Sequence, residues 1–253
     1  HAYDRVDIPT QAQVDAYLPP FEPVQVLDCN EPVSIGAMVG PDAFFEVRYL
    51  QHHKQQQALD LIPALAAEFK VQFGRDSGGL IRCYRCDDAE TIVVALGSVN
   101  GTIKDAVDER RKGGQRIGSV SICSFRPFPL AEVRAALQGA QRVVVIEKSL
   151  AVGIGGMVSE GVRKALSGIN LKGYTVIAGL GGRPITLNSL TRLFAQAERD
   201  ELKQLNFLDL NWDVVNRELA RSRQQRRAGP SAENILRDLA QTGPRLTQEQ
   251  TQP

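Results

Sequence analysis

The sequence predicts an α/β fold built on an open, mostly parallel sheet with helices on both faces. Two observations support this prediction: short apolar runs recur across residues 89–200, and each run is followed by a stretch with helical periodicity. Apolar residues make up 43% of the 253 residues and charged residues 23%, a balance typical of a globular protein.

The elements of this central region follow one another in a regular order. Four strands are predicted, at residues 91–96, 117–123, 142–147 and 174–178. Helices are predicted at residues 102–112, at 129–137, from the glycine-rich stretch 152–156 through Leu166, and at about 186–198. Because strand–helix–strand connections are right-handed in nearly all proteins, this order gives a twisted sheet that is covered on both faces.

Two further zones flank the central region. Residues 1–88 are rich in proline and contain one long helical pattern over 44–74, with an apolar face formed by Ala58, Leu61, Ile62, Leu65, Ala66 and Phe69. One helix cannot bury that face alone, so we expect it to dock on another domain or chain.

Residues 201–253 begin with an apolar anchor over 205–212 and continue with a basic run over 221–227. This run is interpreted as a solvated helix or a subunit-contacting tail. About the last ten residues are expected to be disordered.

Charge and cysteine content exclude several classes of protein. The net charge of +1 gives no electrostatic reason to expect nucleic acid or an acidic membrane surface as a partner. No window approaches the ~20 apolar residues that a membrane span needs. The 4 cysteines do not make a disulfide framework in a chain of this length, so a reducing cytoplasm is the expected location.

Cys83 and Cys86 form a single C-x-x-C. Such a pair can be half of a zinc site, a redox pair or two inert thiols. No second C-x-x-C or paired histidine completes a zinc ligand set, and the pair does not open a helix after a strand as a thioredoxin-like pair does. The sequence therefore favours inert thiols and predicts no metal site.

Glycine-rich turns follow the predicted strands at residues 97–101, 153–156 and 179–183. A turn of this kind before a helix can offer backbone N–H groups to an anion. The first turn lacks the acid that a dinucleotide site carries at the end of the next strand, so NAD or FAD is poorly supported. The second has its third glycine one residue too early, and close packing of a helix on a strand or on a second copy explains it as well. The third ends in Arg183, which could hold a carboxylate or phosphate or pair with an acid of a neighbouring subunit; we favour the subunit contact.

Motifs for nucleophilic catalysis are absent from the sequence. It contains no G-x-S-x-G, and its histidines are His1, His52 and His53. The last two are adjacent and are interpreted as part of a polar face or interface. No catalytic residue is predicted.

Taken together, the ordered segments resemble the α subunit of the pyruvate:ferredoxin (2-oxoacid:acceptor) oxidoreductase family. The resemblance covers roughly residues 15–200 and includes an R-P-F-P turn at Arg126–Pro129 and glycine loops resembling those of the family. The matching segments are residues 18–21, 32–36, 40–49, 84–90, 97–104, 125–129, 147–156 and 178–183.

This resemblance implies part of an enzyme that oxidatively decarboxylates a 2-oxoacid such as pyruvate to acyl-CoA. Thiamine diphosphate, Mg²⁺ and coenzyme A take part in that reaction, and [4Fe-4S] clusters pass the electrons to ferredoxin or a similar acceptor. The implied partners are the β and γ/δ-type subunits that carry the thiamine and the clusters, and this chain alone is expected to be inactive. Residues 89–200 would be the domain that resembles the C-terminal domain of transketolase, a scaffold and subunit contact.

The resemblance also assigns each flanking zone to a part of the family's α subunit. Residues 1–88 would be the C-terminal end of the pyrimidine-binding domain with a linker helix, and residues 201–253 a C-terminal extension. His1 matches the histidine of the family's T-S-H-E segment, and Ala2 replaces its glutamate. The activating carboxylate would then precede this sequence, so only Arg183 is assigned a contact, to coenzyme A or a subunit. The rival hypothesis is a stand-alone Rossmann-like module that binds a nucleotide through residues 97–101 or 179–183.

Overall fold

The computed structural model describes residues 6–223 and 231–242, and it confirms the predicted fold class. These residues form a sheet in the spatial order β1-β3-β2-β4-β5-β6. The strands are β1 (Ile81–Tyr84), β2 (Thr91–Ala95), β3 (Ile117–Ile122), β4 (Arg142–Glu147), β5 (Lys172–Ile177) and β6 (Leu205–Phe207). Strands β2 to β6 are parallel to their neighbours, and β1 runs antiparallel to β3 at one edge.

Helices connect the strands and extend the chain at both ends. They are α1 (Gln11–Tyr17), α2 (Pro41–Phe73), α3 (Val99–Lys112), α4 (Leu130–Leu137), α5 (Met157–Ala165), α6 (Leu187–Glu198), α7 (Trp212–Ser222) and α8 (Ser231–Thr242). The first helix after β2 begins at Val99, three residues before the predicted start at residue 102, so the glycine-rich turn there is partly helical.

Two apolar cores cover the two faces of the sheet. On one face, Val93 and Val144 pack with Ile103 of α3 and Phe194 of α6. On the other face, the neighbouring valines of the same strands pack with Val133 of α4 and with Val162 of α5. Successive side chains of a strand point to opposite faces, so a continuous apolar run such as that of β4 serves both cores.

The edge strands β1 and β6 were not predicted. The side chains of β1, which include Arg82, are all partly or fully exposed. Strand β6 has only three residues and lies within the segment interpreted as an apolar anchor. Edge strands are half-covered, so their side chains do not show the apolar run by which central strands are recognised.

The long helix α2 is confirmed as one continuous helix that ends where Gly74 adopts the left-handed conformation, at φ 67°. Helix α1 packs on its C-terminal half through Tyr17, whose ring centroid lies 5.8 Å from that of Phe69 and 5.3 Å from that of Phe73. In the N-terminal half, Phe45 is 81% exposed and Tyr49 is 64% exposed, so the expectation that this helix needs a further partner stays open.

Helices α7 and α8 are joined by ion pairs from Arg217 and Arg221 to the buried carboxylate of Asp238. The basic run begins in the last turn of α7, while its residues 224–227 and the segment expected to be disordered lie outside the described residues. No helix in the described ranges is both long enough and apolar enough to cross a membrane.

Candidate functional site at the carboxyl edge of the sheet

The carboxyl ends of β2 and β4 meet at the point where the chain changes direction through the sheet. From β2 the chain passes through α3 to β3 on one side, and from β4 it passes through α5 to β5 on the other. Ligands of open α/β sheets bind outside the carboxyl ends of the strands at such a switch point. The segments around it, Leu96–Ser98 and Lys148–Gly156, therefore define the candidate site, with residues 178–183 beside it.

Glu147, the last residue of β4, places a carboxylate under the first turn of α5. The side chain is only 4% exposed. It accepts hydrogen bonds from the backbone N–H groups of Met157 at 2.6 Å, Val158 at 2.7 Å and Ser159 at 3.1 Å. The hydroxyls of Ser149 and Ser159 donate at 3.1 Å and 2.8 Å. This carboxylate satisfies the N–H groups that an α-helix leaves unpaired at its start.

Gly156 makes room for that carboxylate. A β-carbon on Gly156 would lie 1.8 Å from Oε1 of Glu147 and 2.6 Å from Oγ of Ser159. The second glycine-rich turn thus brings the chain against an internal anion, which occupies the position that an external phosphate would take at the start of α5.

The preceding loop is closed by backbone hydrogen bonds between Ala151 and Gly155, and it exposes two apolar side chains. Val152 is 90% exposed and Ile154 is 69% exposed. Gly155 faces Leu205 of β6, whose Cδ1 lies 3.4 Å from the position of a β-carbon. The tip of this loop therefore presents apolar surface within the candidate site.

At the end of β2 the start of α3 is differently arranged. Ser98 precedes the helix without a side-chain cap, and Nδ2 of Asn100 donates to the carbonyl of Gly97 at 2.9 Å. The Oδ1 atom of Asn100 is buried and has no hydrogen-bond partner among the described residues. In the described ranges, the first turn of α3 therefore has no internal carboxylate bonded to it like the one that Glu147 supplies to α5.

Arg183 follows the third glycine turn and lies at the same edge. Its guanidinium donates to the backbone carbonyl of Asp209, while Arg192 donates to the carboxylate of Asp209 at 2.5 Å. Lys148 lies beside it across Gly179: the Cε atom of Lys148 is 3.0 Å from the position of a β-carbon on that glycine. Both cations are exposed, and Lys148 has no acidic partner within the described part of the chain.

The remaining residues considered from sequence lie elsewhere. His52 and His53 are exposed on α2, far along the chain from the sheet, and His1 lies outside the described residues. Cys83 lies in β1, and Cys86 follows the end of that strand by two residues. Burial, followed by the neighbouring Cys83, raises the pKa of the Cys86 thiol to about 11. Among the described residues, no group of three or more His, Cys, Asp or Glu side chains is placed to hold a metal ion.

Comparison with known proteins identifies the family. Residues 89–190 match the family model for core domain II of pyruvate:ferredoxin oxidoreductase. The pyruvate synthase subunit PorA of Methanosarcina barkeri is 38% identical over 205 residues, which are 79% of this chain and 50% of that subunit. The chain belongs to the 2-oxoacid:ferredoxin oxidoreductase α-subunit family.

Other members show the same partial overlap. The ketoisovalerate oxidoreductase subunit VorA of Pyrococcus horikoshii is 32% identical over 75% of this chain and 49% of that subunit. The chain thus spans about half the length of the curated relatives it matches. A solved 2-oxoglutarate:ferredoxin oxidoreductase from Magnetococcus marinus is 20% identical, with a TM-score of 0.38 and coverage of 51% of this chain and 21% of that one.

The part of the chain that matches core domain II contains the whole candidate site. Glu147, the glycine-rich turns and Arg183 lie within residues 89–190, whereas Cys83 and Cys86 lie just before them. Sequence reasoning found the glycine turns and missed Glu147. The available signal was Glu147, an acid at the end of an apolar strand, eight residues before the glycine pair 155–156 that precedes a helix.

Proposed function

We propose that this chain supplies core domain II to the α subunit of a 2-oxoacid:ferredoxin oxidoreductase and acts there as scaffold and subunit contact. The complete enzyme would oxidatively decarboxylate a 2-oxoacid such as pyruvate to acyl-CoA, with ferredoxin or a similar iron–sulfur protein as acceptor. The observation that carries the proposal is the 38% identity to a pyruvate synthase subunit over 79% of the chain. We place the enzyme in the cytoplasm because the 4 cysteines of this chain suit a reducing compartment.

The proposed domain organisation keeps residues 89–200 as the domain that resembles the C-terminal domain of transketolase. Residues 1–88 would be the end of the pyrimidine-binding domain with its linker helix, and residues 201–253 a C-terminal extension. Their contacts favour this division: α1 packs on α2 through aromatic rings, while α7 is tied to α8 by ion pairs.

The described residues do not fit the cofactors of the complete enzyme. They contain no group of metal-ligating side chains for Mg²⁺, and the 4 cysteines of the sequence lack the spacing of a [4Fe-4S] ligand set. The backbone N–H groups at the N-terminus of α5, which would suit a diphosphate, are already bonded to Glu147. We therefore assign thiamine diphosphate and the clusters to the β and γ/δ-type subunits, and no chemical step to this chain.

This function is tested by tagging the chain in its native host and purifying it under exclusion of oxygen. We expect it to emerge with further subunits, with bound thiamine diphosphate and iron, and with coenzyme A-dependent reduction of a viologen dye by pyruvate. The opposing result is a chain that purifies alone and binds NAD, FAD or ATP at micromolar concentration in a calorimeter. That outcome would support the stand-alone nucleotide-binding module instead.

Arg183 has a narrower proposed role at the carboxyl edge. With Lys148 it places two exposed cations beside the glycine turn after β5, and a carboxylate or phosphate suits that pair. The anionic group would come from an acidic side chain of a neighbouring subunit or from coenzyme A. In the complete enzyme, Arg183→Ala should either weaken subunit assembly or raise the KM for coenzyme A alone, and Arg163→Ala on α5 serves as the control. If both properties stay unchanged, Arg183 has neither role.

A further inference from the structure

The side chains of Cys83 and Cys86 lie on the same face of the sheet. Cys83 on β1 is paired in register with Val120 of β3, and the Cys86 thiol donates to the carbonyl of the adjacent Ser119 at 3.2 Å. Val120 belongs to the core formed with α4 and α5, and Cys86 packs against the same core, so both cysteines lie on that face of the sheet. Two thiols that are three residues apart in the chain are therefore neighbours on this face, beside Ser119 and Val120 of β3.

The backbone between the two cysteines is held in the shape that brings them together. Arg85 adopts a left-handed conformation with φ 52°, which turns the chain back after β1. Its carbonyl accepts a hydrogen bond from Arg111 of α3 at 2.9 Å. Gly118 of β3 lets this turn lie close, since a β-carbon there would be 2.4 Å from the same carbonyl oxygen. The pair is thus positioned by the fold and does not depend on a mobile loop.

The two thiols differ in access. Cys83 is exposed, whereas Cys86 is half-buried and packs against the core formed with α4 and α5. Burial, then the neighbouring Cys83 and Asp87, raise the pKa of the Cys86 thiol, so Cys86 forms the reactive thiolate less readily than an unperturbed cysteine. An incoming reagent would therefore meet Cys83 first, and Cys86 would act second.

We propose that Cys83 and Cys86 form a redox-active dithiol, which a low-molecular-weight disulfide converts to an intramolecular disulfide. In the first step Cys83 attacks the reagent disulfide, forming a mixed disulfide and releasing one molecule of thiol. In the second step Cys86 attacks the sulfur of Cys83 and releases the second thiol, which takes up the proton of Cys86. The two cysteines are oxidised by two electrons, and the reagent is reduced by two.

This reaction can be followed with oxidised glutathione as the probe on the complete chain in its native complex. Remaining thiols are blocked with iodoacetamide, and the protein is cut with trypsin, which cleaves after Arg82, Arg85 and Lys104. A disulfide between Cys83 and Cys86 therefore joins a tripeptide to the peptide of residues 86–104, a product with a distinct mass. We expect this cross-linked product in the wild type and in a Cys29→Ser/Cys123→Ser variant, and glutathione retained on Cys83 in Cys86→Ser.

Three results would overturn the proposal: full alkylation of both cysteines, glutathione retained on Cys83 in the wild type, or a bridge from Cys83 to Cys123. A second measurement needs no variant and no oxidant. Phenylarsine oxide condenses with two adjacent thiols and releases water, so one equivalent should protect both cysteines of the wild type from iodoacetamide. Alkylation at the unprotected rate would show that the sulfurs do not act as a pair.

Discussion

The carboxylate of Glu147 occupies the space that a side chain on Gly156 would need. Its Oε1 atom lies 1.8 Å from the position of a β-carbon on that glycine, and its oxygens accept hydrogen bonds from three successive N–H groups of α5. Strand β4 and helix α5 are therefore joined through a buried charge, and the two residues depend on each other.

Gly156→Ala should destabilise the protein by about 1–3 kcal/mol, because the added methyl must displace the buried carboxylate or the backbone. The free energy of unfolding in urea is the measurement. Gly139→Ala is a matched control, since a β-carbon there meets no atom within 4 Å. Equal stability of the two variants would contradict the close contact.

Glu147→Gln keeps the shape of the side chain but removes its charge and turns one acceptor into a donor that faces other donors. We expect a loss of about 1.5–3 kcal/mol in the free energy of unfolding, the range for hydrogen bonds to charged groups. The control is Glu109→Gln on the exposed side of α3. A cost as small as that of the control would mean that the carboxylate does not stabilise α5.

Asp200 should make the stability of the protein depend on pH. Hydrogen bonds from Arg142 and Lys172 hold the pKa of this carboxyl well below its usual value of 3.8. A depressed pKa in the folded state gives stability that is present above the unfolded-state pKa and is lost as the pH falls below it. Urea unfolding between about pH 5 and pH 2 should therefore show a shallower decline for Asp200→Asn than for the wild type.

Asparagine is the suitable replacement at this position, because it tolerates the left-handed conformation of residue 200, at φ 56°. Asp105→Asn, on the exposed surface of α3, should retain the decline of the wild type. Identical pH profiles for Asp200→Asn and the wild type would show that these ion pairs do not contribute.

Gly118→Ala should push the turn at Arg85 away from β3, since a β-carbon there would lie 2.4 Å from the carbonyl oxygen of Arg85 and 3.1 Å from Cα of Cys86. We expect a destabilisation of about 1–3 kcal/mol and faster alkylation of Cys86 in the folded protein. Gly173→Ala on β5 is the matched control, because it has open space around the added atom. Unchanged labelling of Cys86 would contradict the close approach.

The central strands could be predicted from sequence because they are buried on both faces and show continuous apolar runs. Strand β4 was predicted with its observed bounds, Arg142–Glu147. The edge strands could not be predicted in this way, since Ile81–Tyr84 includes an exposed cysteine and Leu205–Phe207 is too short for a pattern to appear.

In the candidate site, too, some features can be predicted from the local sequence, whereas others depend on residues far apart in the chain. Glycines after strands mark the turns, because the conformations they need are local. The partners of the charged groups are not local: Arg183 contacts the carbonyl of Asp209, which adopts a left-handed conformation with φ 55° after β6. Only the folded chain brings these two turns together, so sequence could name Arg183 but not its partner.

The order of the strands also bears on how the chain folds. Strand β2 lies at the centre of the sheet and pairs on one side with β4, where Thr91 is in register with Arg142. Everything between these residues, including β3 and α4, must be made before the centre of the sheet can close. Pairing between residues this far apart in the chain slows folding. Until the pairing forms, the apolar strand β2 can associate with other chains.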